Sequence, residues 1–201
     1  MVFIWPLWKK SHREQQAYIQ LDNSKHKYLF TSSRLGFRTW AHRDIQQMTL
    51  LNSDKNVMEF FPFLPSEKQT VEFIHRMQNQ FLENGFCYFP VDLLETGTFI
   101  GFIGLSIQQF DSDFTPCVDI GRRVHKKYWG KGLATEGALE CLAYAKNDLQ
   151  LNRIYSMAPK TNLKSIKVME KIGMTYIKDF EHPKLKENPT LKKCVLFAIN
   201  L

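Results

Sequence analysis

The chain is short of cysteine, and none of it is spaced to hold a metal. Its four cysteines, Cys87, Cys117, Cys141 and Cys194, form no Cys-x-x-Cys pair and stand at no metal-ligand spacing from histidine. Three fall in expected strands and one in an expected helix. They read as buried free thiols, in keeping with a reducing, cytoplasmic compartment. A long apolar run is also missing. Met1–Trp8 is apolar but too short for a membrane span, and it has no basic segment before it or small-residue cleavage site after it, so no signal peptide is expected. There is no internal repeat and no low-complexity tract. No Gly-x-x-x-x-Gly-Lys-Ser/Thr sequence occurs, which excludes a P-loop. The run Gly130-Lys131-Gly132 has Thr135 where a dinucleotide fingerprint needs its third glycine. It also follows a meander, and the next strand ends in Ala158-Pro159, so that fingerprint fails on context.

What is present describes an ordinary folded domain with one unusual region. Of 201 residues, 44% are hydrophobic and 23% charged, enough for one domain with a real core. The net charge of +7 is localised: Gly121 to Lys171 holds 11 Lys and Arg against 4 Asp and Glu, which accounts for the whole excess. Such a concentration suits a polyanionic ligand, either nucleic acid or a phosphate-bearing cofactor.

Periodicity orders the elements. Residues 1–32 read as an N-terminal extension, with helical spacing from Lys9 to Leu21. Arg34–Trp40 alternates with period two, as a half-buried strand does. A helix follows over His42–Asn52, and a second short one is expected to begin at Asp54. Phe60-Phe-Pro-Phe-Leu-Pro65 is an aromatic loop broken by proline. Ser66 with Gln69 forms a capping box for a helix over Glu67–Asn84, which Gly85 closes. Two strands, Phe86–Leu93 and Phe99–Gln109, form a hairpin through Glu95-Thr-Gly-Thr98, and a third runs from Thr115 to Val124. A helix from Lys131 to Asn147 has Ala138, Cys141, Leu142 and Ala145 on one stripe. Strands at Arg153–Ala158, Met174–Phe180 and Cys194–Ile199 enclose a helix at Leu163–Ile172. The class is α/β (α+β): a mixed, mostly antiparallel sheet of six to seven strands with helices on both faces.

The strand, basic loop and helix from Val118 to Asn147 place lysines and free helix N–H groups at the end of a strand, the usual setting for a bound phosphate. Gly130 and Gly132 leave the backbone there approachable. Lys127-Tyr-Trp-Gly-Lys-Gly132 resembles the pyrophosphate loop of the GNAT superfamily of acetyltransferases, Gln/Arg-x-x-Gly-x-Gly/Ala, with Lys127 in place of Gln or Arg. Trp129-Gly-Lys-Gly-Leu-Ala-Thr-Glu136, Asn162-Leu-Lys-Ser165 and Val168-Met-Glu-Lys-Ile-Gly-Met174 resemble the branch of ribosomal-protein N-terminal acetyltransferases. With Arg34-Leu-Gly-Phe-Arg38, the Glu95–Leu105 hairpin and Val118-Asp-Ile-Gly121, the likeness covers residues 33–201 in family order.

The resemblance implies a GNAT fold and transfer of acetyl from acetyl-coenzyme A to a primary amine, a protein N-terminus or a small amine. It implies Val124, Lys127, Gly130, Lys131, Gly132, Leu133, Ala134, Thr135 and Asn162 as cofactor-binding, and Asp119 and Ser165 as catalytic. No metal is implied. Asn162 serves equally well as a plain helix N-cap, and Asp119 reads also as a surface or salt-bridged aspartate. Ser165 shares a stripe with Val168, Met169 and Ile172, so its hydroxyl needs a partner. The tyrosine that many relatives carry in this helix as general acid is absent from Leu163–Gly173. A lysine amine, with pKa about 10.4, is mostly charged at pH 7, whereas an α-amine near 8 is partly neutral, so a carboxylate acting through water suffices for the latter. Two alternatives stay open: a silent acyl-coenzyme A sensor, and RNA binding through the Gly121–Lys171 surface (with Tyr128 and Trp129 its only interleaved aromatics); a homodimer is compatible with any of these readings.

Overall fold

The computed structural model describes residues 27–201, so the expected helix Lys9–Leu21 lies outside the described residues. Among these residues eight strands form one sheet: β1 (Phe30–Thr31), β2 (Leu35–Phe37), β3 (Tyr88–Leu93), β4 (Phe99–Gln108), β5 (Cys117–Val124), β6 (Arg153–Pro159), β7 (Thr175–Glu181) and β8 (Lys193–Asn200). Their order is β1-β2-β3-β4-β5-β6-β8-β7. Every neighbouring pair is antiparallel except β5–β6. β1 is the strand that pattern alone does not resolve, because two residues carry no period. It falls inside the expected extension, yet Phe30 stacks on Phe37 and Tyr144 at 4.4 Å from each, so the sheet begins there.

Among the described residues four helices cover the sheet: α1 (Asp44–Ser53), α2 (Glu67–Asn84), α3 (Leu133–Asn147) and α4 (Leu163–Lys171). Alternate strand residues point to opposite faces. Thus Phe102 meets Phe73 of α2, while the neighbouring Ile103 lies against Gly137 of α3, where a Cβ would stand 2.5 Å from it. α2 starts on the Ser66–Gln69 capping box and ends on Gly85 at φ 76°. The α3 stripe Ala138, Cys141, Leu142 and Ala145 is buried throughout. The short helix expected at Asp54 is replaced by turns. There the Asp54 carboxylate accepts from the Asn56 N–H at 2.9 Å, a local bond that competes with helix.

One seam in the sheet differs from the rest. β4 and β5 stay in register from Gly101↔Val124 to Gln108↔Cys117. β5 and β6 register only at Asp119↔Tyr155 and then diverge. At the point of divergence the Ser156 hydroxyl donates to the Ile120 carbonyl at 3.0 Å. Beyond it the two strands no longer close on each other.

Candidate active site

The loop after β5 is held from both sides. Lys126–Tyr128 makes one turn of 3-10 helix, and the Trp129 indole N–H donates back to the Val124 carbonyl at 2.8 Å. Gly130 and Gly132 sit at φ +74° and +77°, the left-handed region that side chains resist. Gly132 is the N-cap of α3, and no side chain caps that helix. Glu136, the first-turn acid, is drawn away by Arg34, whose Nε donates to it at 2.6 Å, and by the Ser32 hydroxyl at 2.7 Å. Arg34 also donates to the Lys131 carbonyl at 3.1 Å, fixing the loop. The helix N-terminus therefore faces outward uncapped, and a Cβ at Gly130 would meet nothing within 4 Å. Both features suit an anionic phosphate.

A cavity of about 900 Å³ starts at this loop and passes through the β5–β6 opening to the other face of the sheet. It gathers Asp119, Val124, Gly130, Gly132, Leu133, Ala134, Thr135, Asn162 and Ser165, which the sequence had scattered over 47 positions. Lys127 and Lys131 are not among the lining residues. Their ammonium groups lie instead 4.9 and 5.6 Å from the Tyr128 ring. Part of the positive charge at the wall comes from α4, where Lys164, Lys167 and Lys171 share a helical stripe and Lys164 lies 4.6 Å over the Trp129 ring. Tyr128 and Trp129 are half-buried against the core rather than splayed for stacking on bases.

Asp119 is buried, on the face that carries α1 and α2. The Tyr88 hydroxyl donates to its Oδ1 at 2.7 Å and the Gln108 amide at 2.8 Å. Burial pushes its carboxyl up to about 6, against the downward pull of those two bonds. It has no salt-bridge partner among the described residues. Tyr88 reaches it by crossing Gly121, where a Cβ would stand 2.8 Å from the ring.

Asn162 is the N-cap of α4, accepting from the Ser165 N–H at 3.1 Å, so the capping reading holds. Ser165 is half-buried, and its partner comes from β5. Arg122 Nη2 donates to the Ser165 carbonyl at 2.7 Å and to its hydroxyl at 3.0 Å, across the mouth of the opening. Arg123 points to the opposite face. One of its Nη groups donates to Asn52 Oδ1, and its Nε is sealed from solvent without a partner. Burial lowers both guanidinium groups to about 10, and no carboxylate offsets it for either. Sequence reasoning missed Tyr88, Gln108 and both arginines. The arginines did leave a signal: two consecutive cations in a central strand put one charge on each face. His182 packs 4.6 Å from Phe110, and burial lowers its pKa. The four cysteines are free and buried, and no cluster among the described residues could hold a metal. None of the described helices is long and apolar enough to cross a membrane.

The chain is similar to known proteins in sequence and in fold. A family model for the acetyltransferase (GNAT) domain matches residues 34–175. An uncharacterized protein of Bacillus subtilis, YkkB, is 31% identical over 148 residues, 73% of this chain and 85% of that protein. The uncharacterized N-acetyltransferase YnaD of the same organism is 30% identical over 145 residues, 72% of this chain and 81% of its own length. Among solved structures, a GNAT-family acetyltransferase from Bacillus anthracis superposes with a TM-score of 0.69 at 26% identity, covering 85% of this chain and 96% of that one. Spermidine N-acetyltransferase from Vibrio cholerae, solved with CoA and spermine, gives 0.66 at 20% identity, covering 84% and 96%. At that identity the likeness establishes the fold alone. The match over residues 34–175 places the chain in the GNAT acetyltransferase family.

Proposed function

We propose that the cavity binds acetyl-coenzyme A along the β5–β6 opening and transfers its acetyl group directly to a primary amine entering from the α1–α2 face. One observation carries this reading: a single cavity joins an uncapped, glycine-lined helix N-terminus on one side of the sheet to a buried, unpaired carboxylate on the other. Two relatives support it in kind, an N-acetyltransferase by name and a spermidine N-acetyltransferase solved with CoA. The backbone N–H groups of Leu133, Ala134 and Thr135, with Gly130 and Gly132, would hold the pyrophosphate. Lys164, Lys167 and Lys171 would supply the positive charge first assigned to Lys127 and Lys131. Residues 33–201 would form the catalytic domain, preceded by the extension, in a reducing, cytoplasmic setting.

The residues divide the proton work. Attack by the neutral amine forms a C–N bond as the thioester C–S bond breaks. The amine proton passes to Asp119, directly or through water. With its carboxyl at about 6, that group is ionised at neutral pH yet basic enough to accept. Sulfur departs as a thiolate beside Ser165. Because guanidinium groups only donate, the Arg122 bond occupies a lone pair of Ser165 Oγ and leaves the hydroxyl proton free for that sulfur. Calorimetry with coenzyme A, followed by thiol release from acetyl-coenzyme A over a panel of amines, tests the proposal. Binding without release from any amine would make the protein a sensor, and no binding would end the reading.

A further inference from the structure

On the face toward α1 and α2, β5 presents Asp119, Gly121 and Arg123 in succession. Asp119 is satisfied by Tyr88 and Gln108. Arg123 is not. Its guanidinium lies 4.0 Å over the Phe61 ring and 5.4 Å from Phe102. Only the amide oxygen of Asn52 accepts from it, and its Nε has no partner among the described residues. Asn52 is itself fixed, since its amide nitrogen donates to Thr70 at 2.9 Å, so the guanidinium is held in place rather than free to fold away. The wall around it repeats the sign. Arg76 and Lys184 line the same cavity, and its lining carboxylates are Glu59 and Asp119. A pocket for a polycation would need the reverse balance. A guanidinium laid against aromatic rings with donors unused is suited to a planar oxyanion.

We infer that the acceptor is an amine that also carries a carboxylate, with the carboxylate docking on Arg123 and the amine lying toward Asp119. This deepens the acetyl-transfer reading and rests on it. Asp119 and Arg123 are four strand residues apart, about 13 Å between Cα atoms at ~3.3 Å per residue. The span suits an amine several bonds removed from its carboxylate. A free ω-amino acid has that form, and so does a peptide N-terminus followed by an acidic side chain.

Matched pairs test the inference: lysine against cadaverine, ornithine against putrescine, and peptides with Asp against Asn at the second position. The carboxylate-bearing member of at least one pair should have a kcat/KM about tenfold or more higher, carried mainly by KM, and the pair that shows it identifies the source. Arg123→Glu should invert that preference, while Arg123→Lys, which keeps the charge without the fork, should retain part of it. Thermal melts check that both variants fold. Calorimetry of the same amines against the coenzyme A complex reads the docking step apart from turnover. Loss of the lysine or Asp-peptide heat in Arg123→Glu supports the inference even where no acetyl transfer is seen. Equal or better use and binding of the carboxylate-free members by the native protein would overturn it, as would an unchanged preference in Arg123→Glu.

Discussion

Two arginines on the same face of the sheet, Arg38 buried and Arg123 half-buried, have opposite surroundings. Arg38, at the end of β2, is fully engaged: its Nη groups donate to Asp44 at 2.7 and 2.9 Å, and Nε and Nη2 donate to Asp92 at 3.0 Å each. Burial works against its charge, but those bonds outweigh it and raise its pKa. Arg123, in β5, has one amide oxygen and no carboxylate among the described residues, and burial lowers its pKa. The first arrangement leaves no hydrogen-bonding capacity for a ligand and ties α1 to β2 and β3. The second leaves capacity unspent beside a cavity. A buried charge that the fold itself satisfies is scaffold, and one that it leaves unsatisfied marks where a ligand completes the structure.

The contrast is measurable, and its largest effect is on stability. Arg38→Met leaves Asp44 buried without its cation and Asp92 with Lys27 alone, and should cost about 3–5 kcal/mol in urea denaturation. Arg123→Met abandons a single amide oxygen and should cost roughly 1 kcal/mol. Equal losses would erase the distinction. Next comes Asp119→Asn, which should lower kcat/KM by about 10²–10⁴-fold. The native enzyme's activity should rise with pH through about 6, where the carboxyl ionises. Its stability should move the other way. A carboxyl whose folded pKa lies above its unfolded value favours folding fully only below the unfolded value, about 4, and loses that contribution as pH rises through 6. Asp119→Asn lacks this loss, so it should gain on the native protein by up to about 3 kcal/mol between pH 4 and 7. A variant that loses activity and stability together would make Asp119 structural. Ser165→Ala should lower kcat by roughly tenfold, the worth of one hydrogen bond to the leaving thiolate. Arg122→Met in that background should add little, because the two act as a unit. The smallest effect is expected at Lys178, whose pair with Asp113 lies on the surface: Lys178→Ala should leave the denaturation midpoint unchanged.

Much of the architecture was legible before any coordinates. Ser66 with Gln69 announced α2, Gly85 its end, and the Ala138–Ala145 stripe the buried side of α3. These are local signals, carried by neighbours within a turn or two of helix. The phosphate-side glycines were legible for the same reason. The turns after Asp54 were not, because an aspartate side chain competes for the N–H groups that a helix would use. Nor was the Tyr88–Asp119–Gln108 cluster, which depends on the register of three strands, and register is a property of pairing rather than of any one strand. Lys127 and Lys131 belong to the stretch that resembles the family's pyrophosphate loop, which is contiguous in the chain. Lys164, Lys167 and Lys171 reach the cavity because α4 crosses the opening, which no spacing within the chain reveals.

The order of residues was thus enough to specify the strand and helix sequence, the glycine loop after β5 and the concentration of positive charge from Gly121 to Lys171, since each is written in contiguous chain. Packing assigned that charge to its tasks. It consumed Arg34 in holding the loop, put Arg122 on Ser165 and left Arg123 unpaired above the cavity, because burial and partner geometry depend on contacts between residues far apart in the chain.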